Sequence, residues 1–121
     1  MDLCSLSQLL DDLKHTEAYL KNQCGLTYKE AAMLCSLEQG NCEPAKLAKS
    51  LNLSPSRTSR LISALEIKNL TIRQSCVEDK RIIKLKLSKE GFDLLGFLHQ
   101  TELPFPEYIQ KTLLEIESLK K

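Results

Sequence analysis

The apolar positions of this chain follow two periods. Leu3, Leu6, Leu9, Leu10, Leu13 and Leu20 recur near helical spacing, and Asp2, Asp11 and Asp12 suit the positive N-terminal half of a helix; together they predict a first helix over residues 2–23, ended by Gly25. Thr27-Tyr28-Lys29-Glu30 has the form of a capping box. A second helix then carries Ala31, Leu34 and Leu37 on one face and stops at Gly40-Asn41. Pro44 suits a first turn and predicts a short helix over 44–51, with Leu47, Ala48 and Leu51 inward. Asn52-Leu53 reads as a tight turn, and Ser54-Pro55 opens a further helix over 55–68.

After residue 68 the period changes from helical to alternating. Leu70, Ile72, Cys76 and Val77 read as a short strand, and Ile82-Ile83-Lys84-Leu85-Lys86-Leu87 as its partner, with lysines on one side and a polar tip at Glu78-Asp79-Lys80-Arg81. Ser88 caps a helix carrying Phe92, Leu94, Leu95, Leu98 and Leu103 that Pro104 and Pro106 break, and a last helix covers 107–121. Two short helices joined by a tight turn and followed by a hairpin make a winged helix-turn-helix. The fold class is thus mostly α with a small β hairpin, the winged domain standing between N- and C-terminal helices whose apolar excess suits dimerisation. The expected divisions are 1–25 for the first dimerisation helix, 26–91 for the DNA-binding domain and 92–121 for the C-terminal dimerisation helices.

Composition narrows the class. The chain has 121 residues, 42% hydrophobic and 27% charged, with no Trp. That is one ordinary domain with an aliphatic core. No apolar run approaches the length of a bilayer span and no secretory leader is visible, so a cytoplasmic protein with no membrane role is expected. Net charge is only +1, yet residues 45–90 hold eleven lysines and arginines against four acids, an excess of +7, and the remainder carries −6. Phosphate binding needs local cation density rather than net charge.

The helix over 55–68 divides by period. Thr58, Leu61, Ile62 and Leu65 should face the core, leaving Pro55, Ser56, Ser59, Arg60 and Ser63 outward and Arg57 on a flank. The run from Ser54 to Arg60 contains no acid, unlike an ordinary solvated helix. Serine hydroxyls bond base edges and phosphates, and arginine bonds guanine bidentately. The DNA-contact residues expected are Ser54, Ser56, Arg57, Ser59, Arg60, Ser63, Arg73, Lys80 and Arg81, with this helix in the major groove and the wing over 73–86 at the adjacent backbone or minor groove. The rival reading is a winged-helix module that docks a protein; the basic segment 45–90 argues against it, because an apolar docking surface has no need of those cations.

The stretch from Leu26-Thr27 through Leu47-Ala48, Leu53-Ser54-Pro55-Ser56, Ser59-Arg60-Leu61-Ile62, Leu65-Glu66, Ile72-Arg73, Asp79-Lys80-Arg81 and Leu87-Ser88 to Gly91 resembles the MarR family of winged-helix transcriptional regulators. The resemblance covers about 26–95; Asn69 stands where the family usually has Gly. It implies a homodimer with interleaved terminal helices and two recognition helices in successive major grooves of an inverted-repeat operator, with repression the expected outcome. By the same resemblance, Ser56, Ser59 and Arg60 read the groove, Arg81 is the wing arginine and Asp79 orients it, and Arg73 contacts phosphate. The resemblance also raises a small-molecule or oxidant inducer.

Other chemistry is thin. Five cysteines, Cys4, Cys24, Cys35, Cys42 and Cys76, show no C-x-x-C spacing, which fits a reducing compartment. Cys4 and Cys24 are the redox-sensing candidates; the helix between them separates them by about 30 Å, so they could pair only between subunits. His15 and His99 stand alone, so no metal site, cofactor or catalytic residue is expected, and an enzyme is excluded.

Overall fold

The computed structural model describes residues 1–75, 78 and 82–120. Its elements are α1 (Leu3–Cys24), α2 (Tyr28–Glu38), α3 (Pro44–Ser50), α4 (Pro55–Ile67), β1 (Thr71–Ser75), β2 (Ile83–Leu87), α5 (Lys89–Gln100) and α6 (Glu107–Leu119). They form two compact units, residues 1–25 with 102–121, and residues 26–101. The second unit therefore runs past the boundary expected at residue 91 and takes in α5.

Local chemistry explains most of the helix ends. Asp2 caps α1, its carboxylate accepting from the Cys4 amide at 2.9 Å. The capping box of α2 is complete: Thr27 Oγ1 accepts from the Glu30 amide, and Glu30 Oε1 accepts from the Thr27 amide. Asn52 and Asn69 both take left-handed backbone, φ 54° and 62°, a conformation asparagine tolerates better than most residues with a Cβ. Helix α5 ends earlier than expected. Thr101 takes extended backbone, so the helix closes at Gln100, before the prolines, and Leu103 lies outside it.

In the winged unit, Leu26, Met33, Leu34, Leu47, Leu65 and Leu95 are fully buried, so the core draws a leucine or methionine from every helix there. Strands β1 and β2 pair antiparallel, with Thr71 opposite Leu87 and Arg73 opposite Leu85. Leu85 and Leu87 turn inward, while Lys84 and Lys86 stand on the outer face with Gln74 and Ile72. The Leu85 amide also donates to the Cys42 carbonyl at 2.7 Å, which fastens the chain before α3 to the wing. In the terminal unit, the Tyr108 hydroxyl of α6 donates to the Asp12 carboxylate of α1, and this bond pushes the phenol up to about 12.

Gly91 marks the tightest approach. A Cβ there would lie 2.3 Å from the Leu70 carbonyl oxygen, whereas one at Gly96 would meet open space. Gly91→Ala should cost about 1–3 kcal/mol, the range for overpacking against an unyielding neighbour. Gly96→Ala, in the same helix, should stabilise by about 0.5–1 kcal/mol through helix propensity. Urea unfolding of both variants checks the pair; equal effects would remove the close approach as the cause.

Candidate nucleic-acid interface

Helices α3 and α4 are joined by the turn at Asn52, and the sequence of α4 sets how it starts. Ser54 is the N-cap, its hydroxyl accepting from the Arg57 amide at 3.2 Å, and Pro55 occupies the first turn. Thr58, on the inner face, donates its hydroxyl to the Ser54 carbonyl at 2.9 Å. Ile62 and Leu65 are buried beside it, and Leu61 is half-buried. That leaves Ser56, Arg57, Ser59, Arg60 and Ser63 exposed along one helix, with Ser54 at its tip. The Ser54 and Ser56 hydroxyls lie 3.3 Å apart. No acid stands in the first turn, so the positive end of the helix dipole faces outward unopposed by a carboxylate.

The wing brings Arg73 to this helix. Arg73 is exposed on β1, and its Nε donates to the Glu66 carboxylate of α4 at 2.5 Å. It shares a small pocket of about 80 Å³ with Ser59 and Pro44. A second, apolar pocket of about 230 Å³ lies between α3 and α4, against Ala45, Ala48 and Pro55. Asp79, Lys80 and Arg81, the wing-tip residues of the sequence reading, lie outside the described residues, as do Cys76 and Val77.

Lys84 and Lys86 join the exposed basic surface from the outer face of the wing, on the one side their alternation with Ile83, Leu85 and Leu87 assigned them. One feature was not anticipated: the ion pair between Glu30 and Lys68, at 2.8 Å, which ties the start of α2 to the end of α4. The Glu30 side chain is only 5% exposed. Burial alone would raise its carboxyl, but the Lys68 ammonium and the Thr27 amide outweigh that and hold it below the ordinary glutamate range.

The described cysteines are Cys4, Cys24, Cys35 and Cys42. Cys4 and Cys24 sit at opposite ends of α1. Burial pushes the Cys24 thiol up, the reverse of what a reactive thiol needs. Beside Cys4, the Ser5 hydroxyl and the Cys4 amide hold the Asp2 carboxyl below its ordinary range. Among the described residues no group of three or more His, Cys, Asp or Glu is placed to hold a metal ion, and no helix is long and apolar enough to cross a membrane.

A helix-turn-helix whose second helix leads directly into a two-stranded antiparallel wing defines the winged-helix class. Residues 26–83 match the sequence model of the MarR family, so this segment is MarR-like. The chain is 32% identical over 68 residues to the HTH-type transcriptional repressor MdtR of Bacillus subtilis, a match spanning 55% of this chain and 44% of that protein. The match therefore spans less than half the length of that curated relative. Among solved structures, a variant of MarR from E. coli complexed with operator DNA superposes with a TM-score of 0.65 at 24% identity, covering 81% of this chain and 74% of that one. The transcriptional regulator BldR of Sulfolobus solfataricus superposes with a TM-score of 0.66 at 19% identity, covering 96% and 91%. At these identities the likeness speaks for the fold.

Three outcomes follow for stability. Replacing Lys68 by Met should destabilise by about 2–4 kcal/mol, because it strands the buried Glu30 carboxylate. With its carboxyl depressed in the folded state, Glu30 contributes stability that is complete above the ordinary glutamate range and is lost as pH falls through the folded value. Glu30→Gln should therefore flatten the acid side of the stability–pH curve, and an unchanged acid limb would refute the assignment. At the tip of α4, Ser54→Ala should cost about 1 kcal/mol of cap energy, and Ser54→Asp should keep it.

Proposed function

We propose that this protein binds double-stranded DNA in a sequence-dependent way and acts as a transcriptional repressor in the cytoplasm. The observation that carries this is the exposed face of α4: Ser56, Arg57, Ser59, Arg60 and Ser63 on one helix, with no acid among them and an open N-terminus. Such a face fits the major groove, where hydroxyls and guanidinium groups meet base edges while the helix N-terminus meets phosphate. Arg73, Lys84 and Lys86 supply cations beside it; on the family resemblance alone, Lys80 and Arg81 are assigned contacts at the neighbouring backbone or minor groove and Asp79 the role of orienting Arg81.

The active species in this reading is a homodimer on an inverted-repeat operator. Its support is the apolar surface the terminal helices leave open: Leu3, Leu6 and Leu10 on α1, and Leu113, Leu114 and Ile116 on α6, are all exposed. Large contiguous apolar faces of that kind are normally covered by a partner, and a two-fold arrangement covers both at once. Sedimentation at micromolar concentration should give twice the chain mass; a species of 13.7 kDa alone would remove the dimer and the inverted repeat with it.

The decisive experiment is selection from random duplexes, followed by titration of the winner across a salt series. An inverted repeat with half-sites about one helical turn apart is expected, with a steep salt slope. Arg60→Ala should weaken binding by about 1–3 kcal/mol and relax sequence preference, whereas Arg81→Ala should lower affinity for all duplexes alike. Absence of any enriched sequence, with both variants binding as the parent does, would overturn the reading.

A further inference from the structure

Between Pro44 and Val77 the chain carries one acid, Glu66, in a segment otherwise rich in lysine and arginine. The structure places that acid on Arg73, at 2.5 Å, where the end of α4 meets β1. Arg73 lies beside the exposed face of α4, lining the same small pocket as Ser59. A protein that needed only charge there would leave this arginine free. Both side chains remain open to solvent, 45% exposed for Arg73 and 31% for Glu66, so the pair is of the weak, screened kind that another anion can displace.

We propose that Glu66 is an internal competitor for phosphate that sets sequence discrimination by masking Arg73 until DNA is closely docked. Non-specific binding depends almost wholly on the number of phosphates neutralised, so a masked arginine is one cation fewer in every encounter with unrelated DNA. On a correct site, contacts from α4 hold the backbone close to the wing, and a phosphate can then take Arg73 from Glu66. The contact is thereby withheld from random duplexes and granted on the operator. Glu66 touches no base in this arrangement; it acts through Arg73.

This inference rests on the DNA-binding reading above, and its test separates the two. The full chain, Glu66→Gln, Arg73→Gln and the double variant are titrated against the selected operator and a scrambled duplex of equal length over a salt series. Glutamine keeps the size of Glu66 and an oxygen that can accept from Arg73, and matching thermal unfolding curves confirm that the fold is retained. Glu66→Gln should bind the scrambled duplex at least about threefold more tightly near physiological salt, with a log–log salt slope steeper by about 0.9, one extra phosphate. The operator should gain less, so the ratio of operator to scrambled affinity should fall. In the Arg73→Gln background the gain should vanish, because nothing is left to unmask. If Glu66→Gln gives the same gain without Arg73, Glu66 acts only as a like charge repelling DNA and the proposal is wrong. If the parent selects an operator and Glu66→Gln is indistinguishable from it, the proposal fails while the DNA-binding reading stands. Failure of every variant, the parent included, to bind any duplex would overturn both.

Discussion

The winged unit depends on one knot of backbone around residues 68–70. Helix α4 ends when Asn69 turns left-handed, and the Asn69 and Leu70 amides return to the Glu66 and Leu65 carbonyls. The wing comes back to the same place: the Ser88 amide donates to the Leu70 carbonyl and its hydroxyl to the Asn69 carbonyl. Ser88 then accepts from the Gly91 amide, capping α5, and Gly91 lies against the Leu70 carbonyl because it has no Cβ. Four chain segments are thus satisfied by one set of bonds, and a buried position with this many obligate partners tolerates little displacement. The end of α4, both roots of the wing and the start of α5 hold their relative geometry from here.

Lys68 anchors the knot to the rest of the unit. It caps the end of α4 and pairs with Glu30, whose other oxygen closes the capping box of α2. One carboxylate therefore serves two helices, and its burial is tolerated because both oxygens are engaged. Arg73 and Glu66 repeat the device on the exposed side of the same turn, with the opposite consequence: that pair is solvated and free to exchange partners. Position along one turn separates a structural ion pair from a labile one.

Local features of this fold were legible in the sequence because each has a short-range cause. The Thr27–Glu30 box, the left-handed asparagines, the Ser-Pro start of α4 and the alternating lysines of β2 are all decided within a few residues. The inward and outward faces of α4 likewise follow from period alone. What stayed hidden was long-range. Nothing local pairs Glu30 with a lysine 38 positions away, or the Leu85 amide with the Cys42 carbonyl. The end of α5 was misjudged for a different reason: prolines mark where a helix cannot continue, but the chain leaves helical backbone at Thr101, before it reaches them. Asp2 was legible as a charge suited to the start of α1, and the structure makes it the N-cap.

That last point bears on why α4 is capped differently from α1. Aspartate and serine cap about equally well, so stability alone does not choose between them. At α1 the cap is Asp2, and the helix end is internally neutralised. At α4 the cap is Ser54, neutral, with Pro55 and Ser56 behind it and no acid in the first turn, so the positive helix end stays available to an external anion. A serine hydroxyl that accepts from the Arg57 amide still has a proton to give outward, whereas an ionised aspartate would have only acceptors to offer a phosphate. Both helix ends are open to solvent; the one at α1 neutralises itself, and the one at α4 leaves its charge for a ligand.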